Sequence, residues 1–75
     1  MDDLPMPSGR QVRSVRNYFG MSQGKFSQLA GINISTLVKL EKGMKVDGGT
    51  MEMVARQVAR MEVAFRKDGS MVLPL

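Results

Sequence analysis

The stretch "MSQGKFSQLAGINISTLVKLEKG", residues 21–43, constrains this chain more than any other. It holds two short apolar-patterned segments joined by Ala30-Gly31-Ile32. Ser22 stands ahead of the first and Asn33 ahead of the second, and both residue types suit a helix N-cap. Phe26, Leu29 and Ala30 mark the inward face of the first segment. Leu37 and Leu40 mark that of the second, and Gly43 stands where a helix ends on a left-handed residue. Helices shorter than about 12 residues are marginal in water on their own. Such a pair needs a core beneath it, which the flanking sequence must supply.

The flanks carry the right patterns. Ser8 can cap a helix running to Phe19, with Val12, Val15 and Phe19 on one face and Arg10, Arg13, Arg16 and Asn17 filling much of the rest. Gly20 closes that helix, and Met21 can pack on Phe26 as a hydrophobic staple. "MKVDGG" reads as a loop. Thr50 can then cap a fourth helix with Met51, Val54, Val58 and Met61 inward. Beyond it the period changes. "EVAFRKDGSMVL" places Asp68-Gly69 between two apolar runs, the signal for a hairpin on a type I′ turn. The expected architecture is mainly α: a four-helix unit over residues 8–61, preceded by a flexible arm over 1–7 and followed by a short C-terminal β-hairpin over 62–75.

Composition removes several function classes. The chain has 75 residues, no cysteine and no histidine. Disulfides and thiolate chemistry are therefore out, as are the commonest metal ligand and the usual general base near neutral pH. The carboxylates Asp2, Asp3, Glu41, Asp47, Glu52, Glu62 and Asp68 are scattered over different elements, so no metal site, cofactor or catalytic group is expected. "DGGT" opens a helix without the leading strand or the lysine of a phosphate-binding loop. No apolar run approaches a membrane span, and the acidic, proline-broken "MDDLPMP" is unlike a signal peptide, so a cytoplasmic protein is expected. The formal charge of +4 leans toward a polyanionic partner.

Two short helices joined at a glycine make a helix-turn-helix. In residues 9–61 the chain resembles the lambda-repressor-like, or Xre, family of helix-turn-helix DNA-binding proteins. The resemblance rests on Gln23 just inside the second helix, Gly31 at the turn, Ile32, Leu37 and Leu40 at buried positions, and the ending Glu41-Lys42-Gly43. Phe26 departs from the usual leucine. Ser27 replaces the alanine at the helix crossing but is small enough to keep it, and Lys25 stands where many members have an acid. "TMEMVARQVARMEVAF" followed by a turn and "MVL" is similar to short bacterial members ending in a helix and a hairpin. The resemblance implies an ion pair between Arg16 and Glu41.

The third helix would then read base edges in the major groove. Asn33, Ile34, Ser35 and Lys39 are the candidates. Ile34 has no local reason to occupy an exposed first turn, and contact with thymine methyl groups supplies one; packing against the second helix is the ordinary structural alternative. Asn33 suits adenine, yet capping explains it equally well. Lys39 can reach guanine or a phosphate. Ser22, Gln23, Lys25, Thr36, Lys42 and Lys45 are the candidate phosphate contacts, set against a merely solvated basic face. The eight methionines read as core or interface filler.

These readings lead to a sequence-specific transcriptional regulator, expected to act as a homodimeric repressor or autoregulator on a palindromic operator in double-stranded DNA. An isolated hairpin is marginal, and an exposed apolar edge is normally paired, so Val63, Phe65, Met71, Val72 and Leu73 are the candidate dimer interface. Folding of the hairpin back over its own core is the alternative. The rival function is an antitoxin or anti-activator that binds a partner protein encoded by a neighbouring gene. A nonspecific nucleoid or RNA-binding role is disfavoured by the modest charge, and enzyme activity more so.

Overall fold

The computed structural model describes residues 6–73. It is mainly helical: α1 (Gly9–Tyr18), α2 (Gln23–Ala30), α3 (Ile34–Glu41) and α4 (Gly48–Arg60) precede a two-stranded antiparallel hairpin of β1 (Ala64–Phe65) and β2 (Met71–Val72). Among the described residues no helix is long and apolar enough to cross a membrane. The arm expected over 1–7 falls mostly outside the described residues. Pro7 is nonetheless buried, so the ordered unit begins before the Ser8 cap.

The helix ends obey one rule each, with one exception apiece. At the N-termini Ser8, Ser22 and Asp47 each accept the backbone N–H three residues on, from Gln11, Lys25 and Thr50. Asp47 therefore caps α4 in place of the expected Thr50, and the helix starts within the "DGG" expected to be loop. A carboxylate at that end also meets the positive pole of the helix dipole. The exception is Asn33, whose side chain makes no capping bond. At the C-termini Gly20, Gly31, Gly43 and Glu62 all have positive φ. Each donates its N–H to the carbonyl three residues back, and the next residue donates to the carbonyl five back, as in Gly31 to Gln28 and Ile32 to Ser27. This double bond pattern satisfies otherwise orphaned carbonyls. The exception here is Glu62, a side-chain-bearing residue at φ 60°.

Val12, Val15, Phe26, Ala30, Leu37, Leu40, Val54, Val58 and Val63 form one core, with Met21, Ile32, Val46, Met51, Met61, Phe65, Met71 and Leu73 packed around it. Two expected inward residues are not in it. Phe19 and Leu29 are each 40% exposed. Phe19 instead packs edge-on against the exposed Tyr18. Gln57 is buried, its side-chain oxygen accepting from Arg60.

Gly9 is the tightest point of the fold. A methyl group there would overlap the carbonyl oxygen of Leu40, so only glycine lets the start of α1 lie against the end of α3. Ser27 is buried where α2 meets its neighbours and donates its hydroxyl to the Gly24 carbonyl at 2.9 Å. That intrahelical bond is how a polar residue occupies the crossing without leaving a buried hydroxyl unpaired.

The hairpin turn differs from the expected type I′. Asp68 does not have positive φ; Gly69 does, at 88°. Gly69 donates to the Arg66 carbonyl and Arg66 to that of Ser70, as in a longer loop with a single left-handed glycine. The Asp68 carboxylate accepts from both the hydroxyl and the backbone N–H of Ser70, which draws its pKa below the ordinary range. The register pairs Ala64 with Val72 and Phe65 with Met71.

Candidate nucleic-acid interface

The site begins with one carboxylate. Glu41, at the end of α3, accepts from Nε and Nη2 of Arg16 on α1, each at 2.9 Å. The Gln23 amide at the start of α2 donates to the same carboxylate at 3.2 Å. Arg16 donates in addition to the Met21 carbonyl at 3.0 Å. The side chains of Arg16 and Glu41 are 14% and 5% exposed. Burial pushes the Glu41 carboxyl up, but the bonds from Arg16 and Gln23 and the charges of Arg16 and Arg13 outweigh it and hold the pKa below the usual range. The bond to Glu41 raises that of Arg16 against the opposing effect of burial. The network ties three helices together at the two outer ends of the α2–α3 pair, and among the described residues no buried side-chain nitrogen or oxygen lacks a partner.

Around this network lies a cleft of about 360 Å³ lined by Arg13, Arg16, Gln23, Val38, Glu41 and Lys42. A second, of about 380 Å³, is lined by Ser8, Gly9, Arg10, Glu41, Lys42 and Gly43. Arg10, Arg13, Arg16 and Lys42 thus meet along the α1–α3 seam, where Glu41, already engaged by Arg16, is the one carboxylate among the described lining residues. Such a strip can receive anions, phosphates among them. Arg10 and Arg13 are not among the residues that the sequence motif marks for contact with DNA. Their three-residue spacing with Arg16 was the available signal, but it equally describes a solvated helix face.

The candidate residues separate into groups. Ser35 and Lys39 are exposed on α3 opposite the buried Leu37 and Leu40, and Ile34 in its first turn and Asn33, its N-cap, are exposed as well. Ile34 is 50% exposed, and its Cδ1 lies beside Gly24 of α2, so both the exposed and the packed alternative for this residue describe part of it. Lys42 lines both clefts. Ser22 caps α2 through its hydroxyl, and Lys25 and Lys45 are exposed without lining the first cleft. Thr36 is half-buried. Gln23 lines the first cleft, and its amide nitrogen donates to Glu41, which makes it a member of the ion-pair network as well.

Four of the five candidate dimer residues face their own core. Val63 is only 7% exposed and belongs to the core, so it is unavailable to a partner, and Phe65, Met71 and Leu73 are half-buried against it. Val72 alone points outward, at 37% exposure. The hairpin folds back over the domain, with Phe65 and Met71 packed against the core and beside Arg10, Gln11 and Ser14 of α1. Gln11 fastens it there, donating to the Gly69 carbonyl at 3.3 Å. Among the described residues no cluster of three or more histidine, cysteine or acidic side chains could hold a metal.

A scan against protein-family models returned no match, and neither did comparison with curated proteins or with solved structures.

Proposed function

We propose that the chain is a sequence-specific DNA-binding transcriptional regulator in which α2 and α3 act as a helix-turn-helix. The observation that carries this reading is the division of labour on α3. Leu37 and Leu40 are buried, while Asn33, Ile34, Ser35 and Lys39 stand exposed along the remaining surface. An eight-residue helix with a buried stripe, an amide at its N-cap and a branched hydrocarbon, a hydroxyl and an amine exposed offers the chemistry that base edges require. Lys42, with Arg10 and Arg13 behind it, supplies the phosphate side, which positions without specifying. Glu41 serves both halves by holding α3 against α1 and the start of α2.

Two copies on an inverted repeat, with recognition helices about 34 Å apart, would give the contact area that a module of this size lacks alone. Repression by occlusion is the simplest action, and control of its own gene the simplest circuit. The outward Val72 and the free edges of the hairpin are the dimer surface in this reading.

The test is a gel shift on the DNA upstream of the protein's own gene, against scrambled competitor at fixed salt. Preferential binding is expected. Lys42→Ala should weaken binding to all sequences alike and make the salt slope shallower by about one unit, whereas Lys39→Ala should alter preference at one base position. Equal affinity for scrambled DNA would defeat the proposal.

One observation favours an added protein-binding role of the antitoxin or anti-activator kind. Leu29 and Met53 are each 40% exposed, and both lie on the α2–α4 side, where Met53 covers Gly31 and Arg60 donates to the Leu29 carbonyl. Co-purification of the neighbouring gene's product, lost on Met53→Asp with DNA binding intact, would establish that role.

A further inference from the structure

We infer that the first turn of α3 selects A·T base pairs, with Asn33 on the adenine edge and Ile34 on the thymine methyl group; the inference rests on the DNA-binding reading above. The first observation is that Asn33 is unspent. Its backbone carbonyl accepts the N–H groups of Thr36 and Leu37 at 3.1 and 3.2 Å, so the helix starts without help from the side chain. The side chain is exposed and makes no capping bond. A primary amide carries a donor and an acceptor side by side, which matches the N7 acceptor and N6 donor of adenine.

The second observation is the placement of Ile34. Its Cδ1 rests beside the first turn of α2, at the position where Gly24 has no side chain, and half of its surface remains open. Contact on one side limits its rotamers, and the open side leaves hydrocarbon free on the residue that follows Asn33. The major-groove edge of an A·T pair offers an acceptor, a donor, an acceptor and a methyl group. An amide followed by a branched hydrocarbon matches that row. A G·C pair fits it less well at both places. Guanine O6 would face the amide oxygen, and cytosine presents a bare C5–H where thymine carries its methyl group. Ser35, able to donate or accept, adds little discrimination, so the selectivity falls on residues 33 and 34.

Base analogues test this on the unaltered protein. Binding sites are first selected from randomised duplex at fixed salt. Each thymine of the selected half-site is then replaced by uracil, which lacks the methyl group, and each adenine by 7-deazaadenine, which lacks N7. One uracil position should lose affinity severalfold in the natural protein and not in Ile34→Ala. One 7-deazaadenine position, at the same or the adjacent pair, should lose about tenfold in the natural protein and little in Asn33→Ser, where serine remains a good cap. Melting curves by circular dichroism confirm that both variants are folded; if either is not, the analogue losses in the natural protein still decide. A selected site whose affinity ignores every uracil and 7-deazaadenine overturns the inference and leaves the DNA-binding reading standing. Failure to select any sequence overturns both.

Discussion

The α1–α3 seam and the C-terminal hairpin are both held to the same core, by opposite means. At the seam the contacts are singular. Gly9 admits the Leu40 carbonyl where any side chain would collide, and Glu41 gathers Arg16 and Gln23 on one buried carboxylate. At the hairpin the contacts are generic. Phe65, Met71 and Leu73 are half-buried, each strand has two residues, and one side-chain bond from Gln11 reaches the turn. A singular contact fixes geometry and tolerates no change. A generic one contributes by area and degrades gradually. The residues proposed to touch DNA hang from the seam, and the surface proposed for dimerisation lies on the hairpin.

The sharpest way to break this comparison is Gly9→Ala. Overlap with backbone cannot be relieved by a rotamer change, so a loss of about 3 kcal/mol is expected, at the upper end for overpacking, measured by chemical denaturation. A near-neutral result would mean that α1 and α3 can slide and that the seam is not singular.

Glu41→Gln should come next, at about 2 kcal/mol, since one oxygen still accepts while Arg16 loses its charged partner. The effect has a pH signature. The Glu41 pKa is lowered on folding, so its contribution is fully present above the unfolded value, near 4.3 for an ordinary glutamate, and is lost as pH falls through the lower folded value. The melting temperatures of the natural protein and the variant should therefore converge in acid. A constant gap down to the lowest accessible pH would assign the loss to packing instead.

A smaller, stabilising change is expected at the junction of the two regions. Glu62→Gly replaces the one side-chain-bearing left-handed residue among the described positions, and a gain of up to about 1 kcal/mol should follow. Destabilisation would show that the Glu62 side chain has a partner worth more than its backbone strain.

The smallest expected effect on the fold is that of Val72→Lys. This exposed residue should change monomer stability by under about 0.5 kcal/mol, yet weaken self-association in analytical ultracentrifugation. A dimer untouched by the change would move the interface off the hairpin.

Much of this protein was legible in its residues because the signals are local. The four helices, the left-handed glycines 20, 31 and 43, the caps at Ser8 and Ser22 and the existence of the hairpin all follow from side-chain periodicity and backbone stereochemistry within a few residues. So does the buried face of α3, and with it the exposure of Asn33, Ile34, Ser35 and Lys39. The pairing of Arg16 with Glu41, 25 positions apart, was accessible only through a family resemblance and is met in the structure. Other features depend on what lies across the gap between elements, and no local pattern encodes that. Glycine at position 9 resembles any helix-start glycine until the Leu40 carbonyl is placed against it. Phe19 and Leu29 satisfy the helical period but stay outside the core, each 40% exposed. Asp47 and Thr50 are both good caps, and the choice depends on where the chain leaving α3 can turn. The hairpin sequence specifies an apolar element without naming what covers it; the tertiary structure turns Phe65 and Met71 onto their own domain and leaves Val72 outside, because a nearby core buries apolar surface without the entropy cost of holding a second molecule.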